Sequence, residues 1–419
     1  MKRFLGLSAL LVVVLTLVMS GVVSAAQVTI KFPCWMFTEP GVKDVLYRGI
    51  REFEQENPGI KVETTAIPPG EYEDKLLTEM AGGVVPDVFP VFTNMIPKLV
   101  SLDMLEPLDR YLNASDFKSR LVSLQKAAVK NGKTYGVVLT ASPQGLLSNK
   151  QLMKKAGVTS IPQTPEELFA AAKKVKERTG EFGFAFTNNA SDSLFMYIYA
   201  MQWVLGFGSD FSIDGVPTAD APKTIEGLKW LDKFYKADLV PKGLDTITMR
   251  RMFWEGKIAF MIDGPWTMTH VKTNNPALYP HIDFTAPPTP THAAITGGAF
   301  FTIPKQAKHK DEAWKLIAFF NRPKWQRAWL EELVQMPAQR IQPSPEFLKQ
   351  NPWMSTMIDI AADYGAGFGY APPGLEVYAN EFRKIVTDNI ATIWAGQKSV
   401  EKAMNDCQKQ LEQWLKTKK

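Results

Sequence analysis

The sequence predicts an α/β protein of two lobes, and three features point that way. Short alternating or apolar runs typical of strands are repeatedly followed by runs whose apolar residues recur at helical spacing. This alternation predicts a mostly parallel sheet with helices on both faces. The chain of 419 residues is long enough for about two to three domains. The apolar run 258–262 ends abruptly at Asp263 and Trp266, and open α/β sheets bind ligands at the carboxyl ends of their strands.

The first elements follow from the residue pattern, taken in chain order. Alternation of apolar and polar side chains marks strands, whereas apolar residues three and four positions apart mark helices. The first predicted helix stops at the turn formed by Asn57, Pro58 and Gly59, and the second stops at two consecutive glycines. The predicted elements are strand 28–32, helix 42–53, strand 60–64, helix 72–81 and strand 86–92.

The first 25 residues predict a cleaved signal peptide. Lys2 and Arg3 precede an apolar run over 4–23, and the small residues 24–26 supply a cleavage site. A retained anchor is the alternative, because the run approaches the ~20 apolar residues that span a bilayer. No lipid-attachment cysteine ends this segment, since the nearest, Cys34, lies in a strand-like stretch. We therefore expect a soluble periplasmic protein and not a lipoprotein.

The composition argues against a nucleic-acid partner. Lys and Arg number 48 and Asp and Glu 43, which gives a formal net charge of +5, and removing Lys2 and Arg3 leaves +3. The basic residues are dispersed, whereas nucleic-acid-binding proteins usually carry a clustered patch. Cys34 and Cys407 are too far apart in sequence for a pairing to be judged. Cys407 lies on an apolar helical stripe, so we expect a buried core residue rather than half of a disulfide.

Several short motifs occur along the chain in a fixed order. The most informative one, Phe-Trp-Glu-Gly-Lys-Ile-Ala-Phe-Met-Ile-Asp-Gly-Pro-Trp, occupies residues 253–266. The others occupy residues 53–62, 81–88, 102–109, 132–137, 147–150, 156–158, 297–304 and 312–320. This ordered set resembles the family 1 extracellular solute-binding proteins, the sugar receptors of ABC importers, over almost the whole chain after residue 25.

The resemblance implies the type II periplasmic binding protein fold, in which chain crossings join two α/β lobes around a ligand cleft. It also implies closure of the lobes on a sugar and delivery of that sugar to the transmembrane subunits of a permease. A monomer without cofactor or metal is expected. We place the crossings near residues 139–142, 295–298 and 336–340. The predicted domains are a signal peptide 1–25, an N-terminal lobe 26–139 plus 298–336, and a C-terminal lobe 142–295 plus 340–419.

A sugar receptor needs flat aromatic rings for the C–H faces of its ligand and side chains that donate to and accept from hydroxyls. Trp266 matches the stacking tryptophan of the family, with a lid over the core as its structural alternative. Trp35 follows the first strand, where the family's first loop enters the cleft. Asp263 is expected to accept from hydroxyls, unless it caps the strand end. Trp203 lies on a helix that is either internal or next to the cleft. The remaining expected ligand-binding residues are Glu39, Phe92, Asn94, Ser142, Gln144, Asn188, Gly297, Gly298 and Tyr370.

Other functions stay open at the level of sequence. A secreted carbohydrate-active enzyme would need convergent carboxylates or a nucleophile with a base. The four histidines show no metal-ligand spacing, and no Gly-x-Ser-x-Gly motif occurs, so we expect no enzyme. A receptor for glycerol phosphate or a polyamine stays open, because one fold serves many ligands. The mixture of carboxylates, amides and rings in the predicted site favours a neutral carbohydrate.

Overall fold

The computed structural model describes residues 27–363, 365–366 and 372–418, so the predicted signal peptide and Tyr370 lie outside the described residues. Strands and helices alternate along this part of the chain. The strands are β1 Val28–Cys34, β2 Ile60–Ala66, β3 Phe89–Phe92, β4 Val129–Lys130, β5 Lys133–Thr134, β6 Val137–Pro143, β7 Gly145–Asn149, β8 Phe182–Ala185, β9 Ser212–Ile213, β10 Val216–Pro217, β11 Ile258–Asp263, β12 Ile282–Thr285, β13 Ala294–Thr302 and β14 Gly365–Ala366.

Helices follow most of the strands, and several of them, such as α1, are amphipathic. They are α1 Val42–Glu56, α2 Pro69–Ala81, α3 Met95–Ser101, α4 Asp109–Asn113, α5 Lys150–Ala156, α6 Pro165–Thr179, α7 Ser193–Gly206, α8 Pro222–Lys236, α9 Thr246–Trp254, α10 Trp266–Asn274, α11 Lys310–Phe320, α12 Pro323–Arg327, α13 Pro345–Gln350, α14 Trp353–Asp363, α15 Ala379–Trp394 and α16 Val400–Lys416. In α1, for example, Val42, Leu46 and Phe53 are buried at helical spacing.

The five elements predicted at the start of the chain are confirmed, with one shorter than expected. The predicted strand 86–92 begins only at Phe89, because Asp87 is used to tie two segments together. Its carboxylate accepts from the backbone N–H of Lys31 at 2.9 Å and of His309 at 3.1 Å. Asp87 therefore has a structural role, because it ties the segment before β3 to β1 and to the N-terminus of α11.

The sheets are mixed, so the expectation of a mostly parallel sheet was wrong. β13 pairs antiparallel with β3 and β6 and parallel with β14, and the second sheet has the order β12-β7-β11-β8 with only β11–β8 parallel. Only Gln144 separates β6 from β7. The chain therefore enters the second sheet directly, without the long crossover connection that joins consecutive parallel strands.

Two separate hydrophobic cores lie under these sheets, and each draws on distant parts of the chain. Core membership changes between Ala141 and Leu146, changes back between Ile295 and Ala299, and changes again over residues 330–347. The predicted domain limits stay a prediction, because membership of a core does not define the residues at which one lobe ends and the other begins. Hereafter, the N-terminal lobe denotes the body around the core that contains Phe32, and the C-terminal lobe the other body.

The two cysteines lie in different cores. Cys34 and Cys407 are both free and fully buried, which confirms the buried position expected for Cys407. Among the described residues, we find no helix with the length and apolar character needed to cross a bilayer.

Candidate functional site

A cavity of about 540 Å³, counted with its opening to solvent, lies between the two lobes. The wall contains six of the residues expected from the sequence, and their role in binding stays a prediction. The lining residues are Trp35, Met36, Glu39, Pro69, Phe92, Thr140, Phe195, Arg250, Trp266, Gly297, Gly298, Ala299 and Gln335.

The N-terminal lobe contributes an aromatic pair to the wall. Trp35 begins the short turn that follows β1, and Phe92 is the last residue of β3. Their rings stack with centroids 4.1 Å apart and planes 25° from parallel. Tyr72 packs edge-on against Trp35 at 4.9 Å and donates its hydroxyl to the carbonyl of Pro90 at 2.8 Å. These contacts hold the indole of Trp35 in place before any ligand arrives.

The C-terminal lobe contributes Trp266, the first residue of α10, directly after β11. The indole Nε1 donates to Asp263 at 2.9 Å, and the guanidinium carbon of Arg250 lies 5.3 Å from the ring centroid. A Cβ at Gly264 would come within 2.2 Å of the same indole, so only glycine lets the ring lie this close to the turn. Trp266 is thus fixed in orientation and half-buried against the cavity.

Asp263 is fully buried and engaged by protein groups, and its expected role as an acceptor for ligand hydroxyls stays a prediction. Its carboxylate accepts hydrogen bonds from Nε of Arg250 at 2.8 Å and from Nη2 of Arg250 at 3.2 Å. It also accepts from Thr267 Oγ1 at 2.7 Å and from the backbone N–H of Gly264 at 2.9 Å. This geometry supports the strand-end alternative, in which the carboxylate holds Trp266 and Arg250 toward the cavity.

Arg250 was missed by the sequence reasoning, although a signal for it exists. It lies in α9 on the same face as the buried residues Met249 and Phe253. A charged residue on an apolar helical face needs a partner, and Asp263 supplies one. Burial alone would lower the pKa of Arg250, but Asp263 raises it above its ordinary value. Arg250 therefore stays charged at the cavity wall.

Glu39 is the second ionisable group on the wall, from the loop before α1. Burial raises the pKa of its carboxyl to about 7, against the opposing effect of Arg250 and with a further increase from Asp263. Its side chain remains partly exposed. Since the Arg250–Asp263 pair is neutral as a unit, the wall carries little net charge while Glu39 is protonated.

His270 lies behind this wall on α10. It is buried, and its ring packs edge-on against Trp254 with centroids 5.6 Å apart. Neither ring nitrogen has a hydrogen-bond partner. Burial, reinforced by Arg250, lowers the pKa of this imidazole to about 3 against a smaller raising effect of Asp263. At neutral pH His270 therefore adds no charge near the cavity.

Three further expected residues lie beside the cavity and not in its wall. Asn94, Ser142 and Gln144 are all buried, and each has at least one side-chain polar atom without a hydrogen-bond partner. Ser142 pairs with the lining residue Gly297 across β6 and β13, and Asn94 follows the lining residue Phe92 by two positions. A buried polar atom without a partner costs about 1–3 kcal/mol. Their free polar atoms thus mark this edge as one that a hydroxylated ligand or ordered water would satisfy.

Gln335 was also missed by the sequence reasoning. It is buried, lines the cavity and leaves its Nε2 without a partner. The sequence gives little indication of this role, because Gln335 lies in an irregular segment next to the third predicted crossing and belongs to no motif. Phe195 of α7 gave no signal either, since nearly every residue of that helix is apolar and buried.

Two expected residues have internal roles in the C-terminal lobe, away from the cavity wall. Asn188 donates its Nδ2 to the carbonyls of Phe186 and Pro241 at 3.0 and 2.9 Å, so its amide ties a loop. Trp203 is fully buried and packs edge-on against Phe184 with centroids 6.0 Å apart. For Trp203 the structure favours the internal alternative, and the amide of Asn188 is buried in the loop that it ties. Tyr370 lies outside the described residues.

Residues 50–356 match the bacterial extracellular solute-binding protein family. A binding protein of Brucella abortus (strain 2308) is 27% identical over 364 residues, which cover 85% of this chain and 86% of that protein. The maltotriose-binding protein of Pyrococcus abyssi is 25% identical over 304 residues, 70% of this chain and 62% of that protein.

Solved structures resemble the chain over nearly its whole length. Maltose-bound MalE3 of T. maritima superposes with a TM-score of 0.81 at 21% identity, over 92% of this chain and 99% of that one. A solute-binding protein of Thermotoga lettingae bound with α-D-tagatose gives a TM-score of 0.82 at 20% identity, over 93% and 99% of the two chains. These likenesses confirm the predicted two-lobe fold.

Proposed function

Because the chain belongs to the bacterial extracellular solute-binding protein family, we propose that it is the solute-binding component of an ABC importer and that its solute is a neutral sugar. The observation that carries this proposal is the pair of fixed indoles, Trp35 and Trp266, which reach one cavity from opposite lobes. Flat aromatic faces suit the C–H faces of a sugar ring. The sugars bound by the similar solved proteins point to the same class of ligand.

The electrostatics of the wall favour a neutral ligand over the charged alternatives. A glycerol phosphate needs an uncompensated cation, but the guanidinium of Arg250 is already paired with Asp263. A polyamine needs several carboxylates, and among the lining residues of the described chain only Glu39 carries one. Burial favours the protonated form of that carboxyl. A polyhydroxylated neutral solute places no net charge against either group.

The mechanism we propose is closure of the lobes around the sugar. A ligand that contacts both walls binds the closed arrangement better than the open one, so its binding shifts the population toward closure. The closed form is then the one that permease transmembrane subunits recognise. We propose that the protein acts as a monomer in the periplasm and that it releases its ligand unaltered.

A thermal-shift panel tests the proposal on the full chain after residue 25. Maltose, maltotriose, diacetylchitobiose, tagatose and mannitol form the sugar arm, with glycerol 3-phosphate and spermidine as the charged arm. A ligand at 100 times its Kd stabilises the native state by ~2.7 kcal/mol, which raises the melting temperature by several degrees. A rise with at least one sugar and none with the charged compounds is expected. A rise confined to the charged arm would replace the sugar with that ligand class.

A further inference from the structure

An ion pair joins the two lobes away from the cavity. Glu73 lies on α2, whose residues Tyr72 and Leu76 belong to the core of the N-terminal lobe. Arg383 lies on α15, whose residues Phe382 and Val386 belong to the other core. The nearest charged atoms, Glu73 Oε2 and Arg383 Nη2, are 3.8 Å apart. This ion pair therefore spans the boundary between the lobes.

Both side chains are buried where they meet, with 9% of Glu73 and 8% of Arg383 exposed. Neither residue lines the cavity. At 3.8 Å the pair is an ionic contact but too long for a hydrogen bond, and Glu73 Oε2 and Arg383 Nη1 have no hydrogen-bond partner. Two charges so placed need each other, since a buried charge without its counterion is strongly disfavoured.

The surroundings make the carboxylate the central member of this cluster. Lys98 of α3, also in the N-terminal lobe, lies 3.8 Å from the other oxygen of Glu73. The guanidinium of Arg383 also donates from Nη2 to Oδ1 of Asn380 at 2.8 Å. Glu73 thus separates two cations, one from each lobe, and without it Lys98 and Arg383 would face each other across the lobe boundary.

We infer that the Glu73–Arg383 pair stabilises the closed arrangement of the lobes and thereby sets ligand affinity without touching the ligand. When the lobes part, both charges return to water and lose each other, so the pair contributes to the closed form alone. Since α2 also contributes Pro69 to the cavity wall, closure of the pair and closure of the cavity involve the same helix. Glu73 and Arg383 are positioning residues in this scheme.

The test measures the closed fraction directly, by single-molecule fluorescence energy transfer between two dyes. The dyes are attached at Lys75→Cys on α2 and Lys409→Cys on α16, both exposed positions, while the native cysteines are buried. Glu73→Gln should lower the closed fraction severalfold in ligand-free protein. Arg383→Gln should lower it less, because Glu73 keeps Lys98. The double variant should partly recover, because the repulsion between Lys98 and Arg383 is then absent.

The matched control is Lys384→Gln, which removes one positive charge from the neighbouring residue of the same helix. Lys384 pairs with Asp388 in solvent, with 73% and 59% of the two side chains exposed, so its loss should leave the closed fraction unchanged. Additive effects in the double variant, or equal closed fractions in the wild type and Glu73→Gln, would overturn the inference. If Glu73→Gln proves unfolded by circular dichroism, Arg383→Gln decides in its place.

A second arm measures the affinity of each variant for maltose. This choice of probe rests on the proposed function. Where maltose binds the wild type, Glu73→Gln should raise Kd about tenfold, equivalent to ~1.4 kcal/mol. An unchanged Kd would count against the ion pair. Absence of maltose binding to every form would count against this sugar as the ligand, while the ligand-free arm still decides the role of the pair.

Discussion

At the scale of single residues, the cavity is built from side chains that other side chains hold in place. Trp35 is covered by Phe92, and Trp266 is tied to Asp263. Neither indole is free to rotate, so little conformational entropy is lost when a ligand stacks on it. The position of Trp266 after β11 was predictable from its motif, because a strand end fixes where the next residue can lie. The use of Asp263 was not, because its partner Arg250 comes from a different element.

Replacing Trp266 by Ala should weaken sugar binding at least about tenfold. Truncation of a central aromatic anchor typically costs ~2 kcal/mol or more, and here it also frees the carboxylate that held the ring. Isothermal titration with the sugar that performs best in the thermal panel measures the loss. Trp414→Ala is the matched control, because Trp414 lies on α16, away from the cavity. Its indole Nε1 donates to Oε2 of Glu381 at 2.9 Å. Equal losses in the two variants would contradict a stacking role for Trp266.

Glu39→Gln should stabilise the ligand-free protein, and more so at pH 8 than at pH 4. The folded pKa of Glu39, about 7, lies above its ordinary value of 4.5, so the stability linked to protonation is fully present below pH 4.5 and is lost as pH rises through 7. Because the side chain is partly exposed, we expect a gain of about 1–2 kcal/mol at pH 8.

Urea unfolding of the wild type and Glu39→Gln at the two pH values gives this difference. Glu106→Gln is the control: Glu106 lies outside the cavity wall and pairs with Lys310 at 2.7 Å, so its replacement should not stabilise the protein at pH 8. A Glu39→Gln variant no more stable at pH 8 than the wild type would show that the carboxyl is not perturbed.

At the scale of elements, helix α1 meets α10 of the other lobe at a glycine. Gly41 caps α1 with a φ of +78°, and a Cβ there would come within 2.5 Å of Thr273 Oγ1 and 3.0 Å of Thr269 Cγ2. The sequence predicted α1 well, because its apolar spacing is regular. It could not predict that the start of α1 touches α10, since that contact depends on how the two lobes face each other.

Gly41→Ala should therefore weaken ligand binding as well as stability. The positive φ costs an alanine roughly 1–2 kcal/mol, and the added methyl group collides with α10 when the lobes are arranged as in this structure. Gly132→Ala is the control for the backbone cost alone, because Gly132 has a φ of +74° but, in the described part of the chain, no atom within 4 Å of the Cβ that an alanine would add. Both variants should melt at lower temperature, and only Gly41→Ala should raise Kd. A similar Kd for the two would remove the steric argument.

At the scale of the whole molecule, the strength of the sequence signal differs from feature to feature. The ordered motifs predicted a two-lobe fold, which the similar solved structures confirm. The strand directions were mispredicted, because residues local in sequence carry no information on whether β7 meets β11 in parallel or antiparallel. Trp203 could not be assigned to core or cavity, because helix α7 is apolar on every face and its residue pattern does not show which face meets the cavity.

The proposed closure of the lobes concerns the molecule as a whole. On saturation with a sugar that binds, the radius of gyration from small-angle scattering should fall, because the ligand favours the closed arrangement. The same titration with a non-binding sugar from the panel provides the baseline. A scattering curve that stays the same at saturation would exclude a large rotation of the lobes.

The interleaved cores have a consequence for the nascent chain. The core around Phe32 includes Phe301 and Leu316, so about three hundred residues must leave the ribosome before it can be completed. Until then the early strands and helices expose apolar surface, and such long-range pairing makes folding slow. Slow completion of this core leaves apolar surface exposed for longer, which favours aggregation of the incomplete chain.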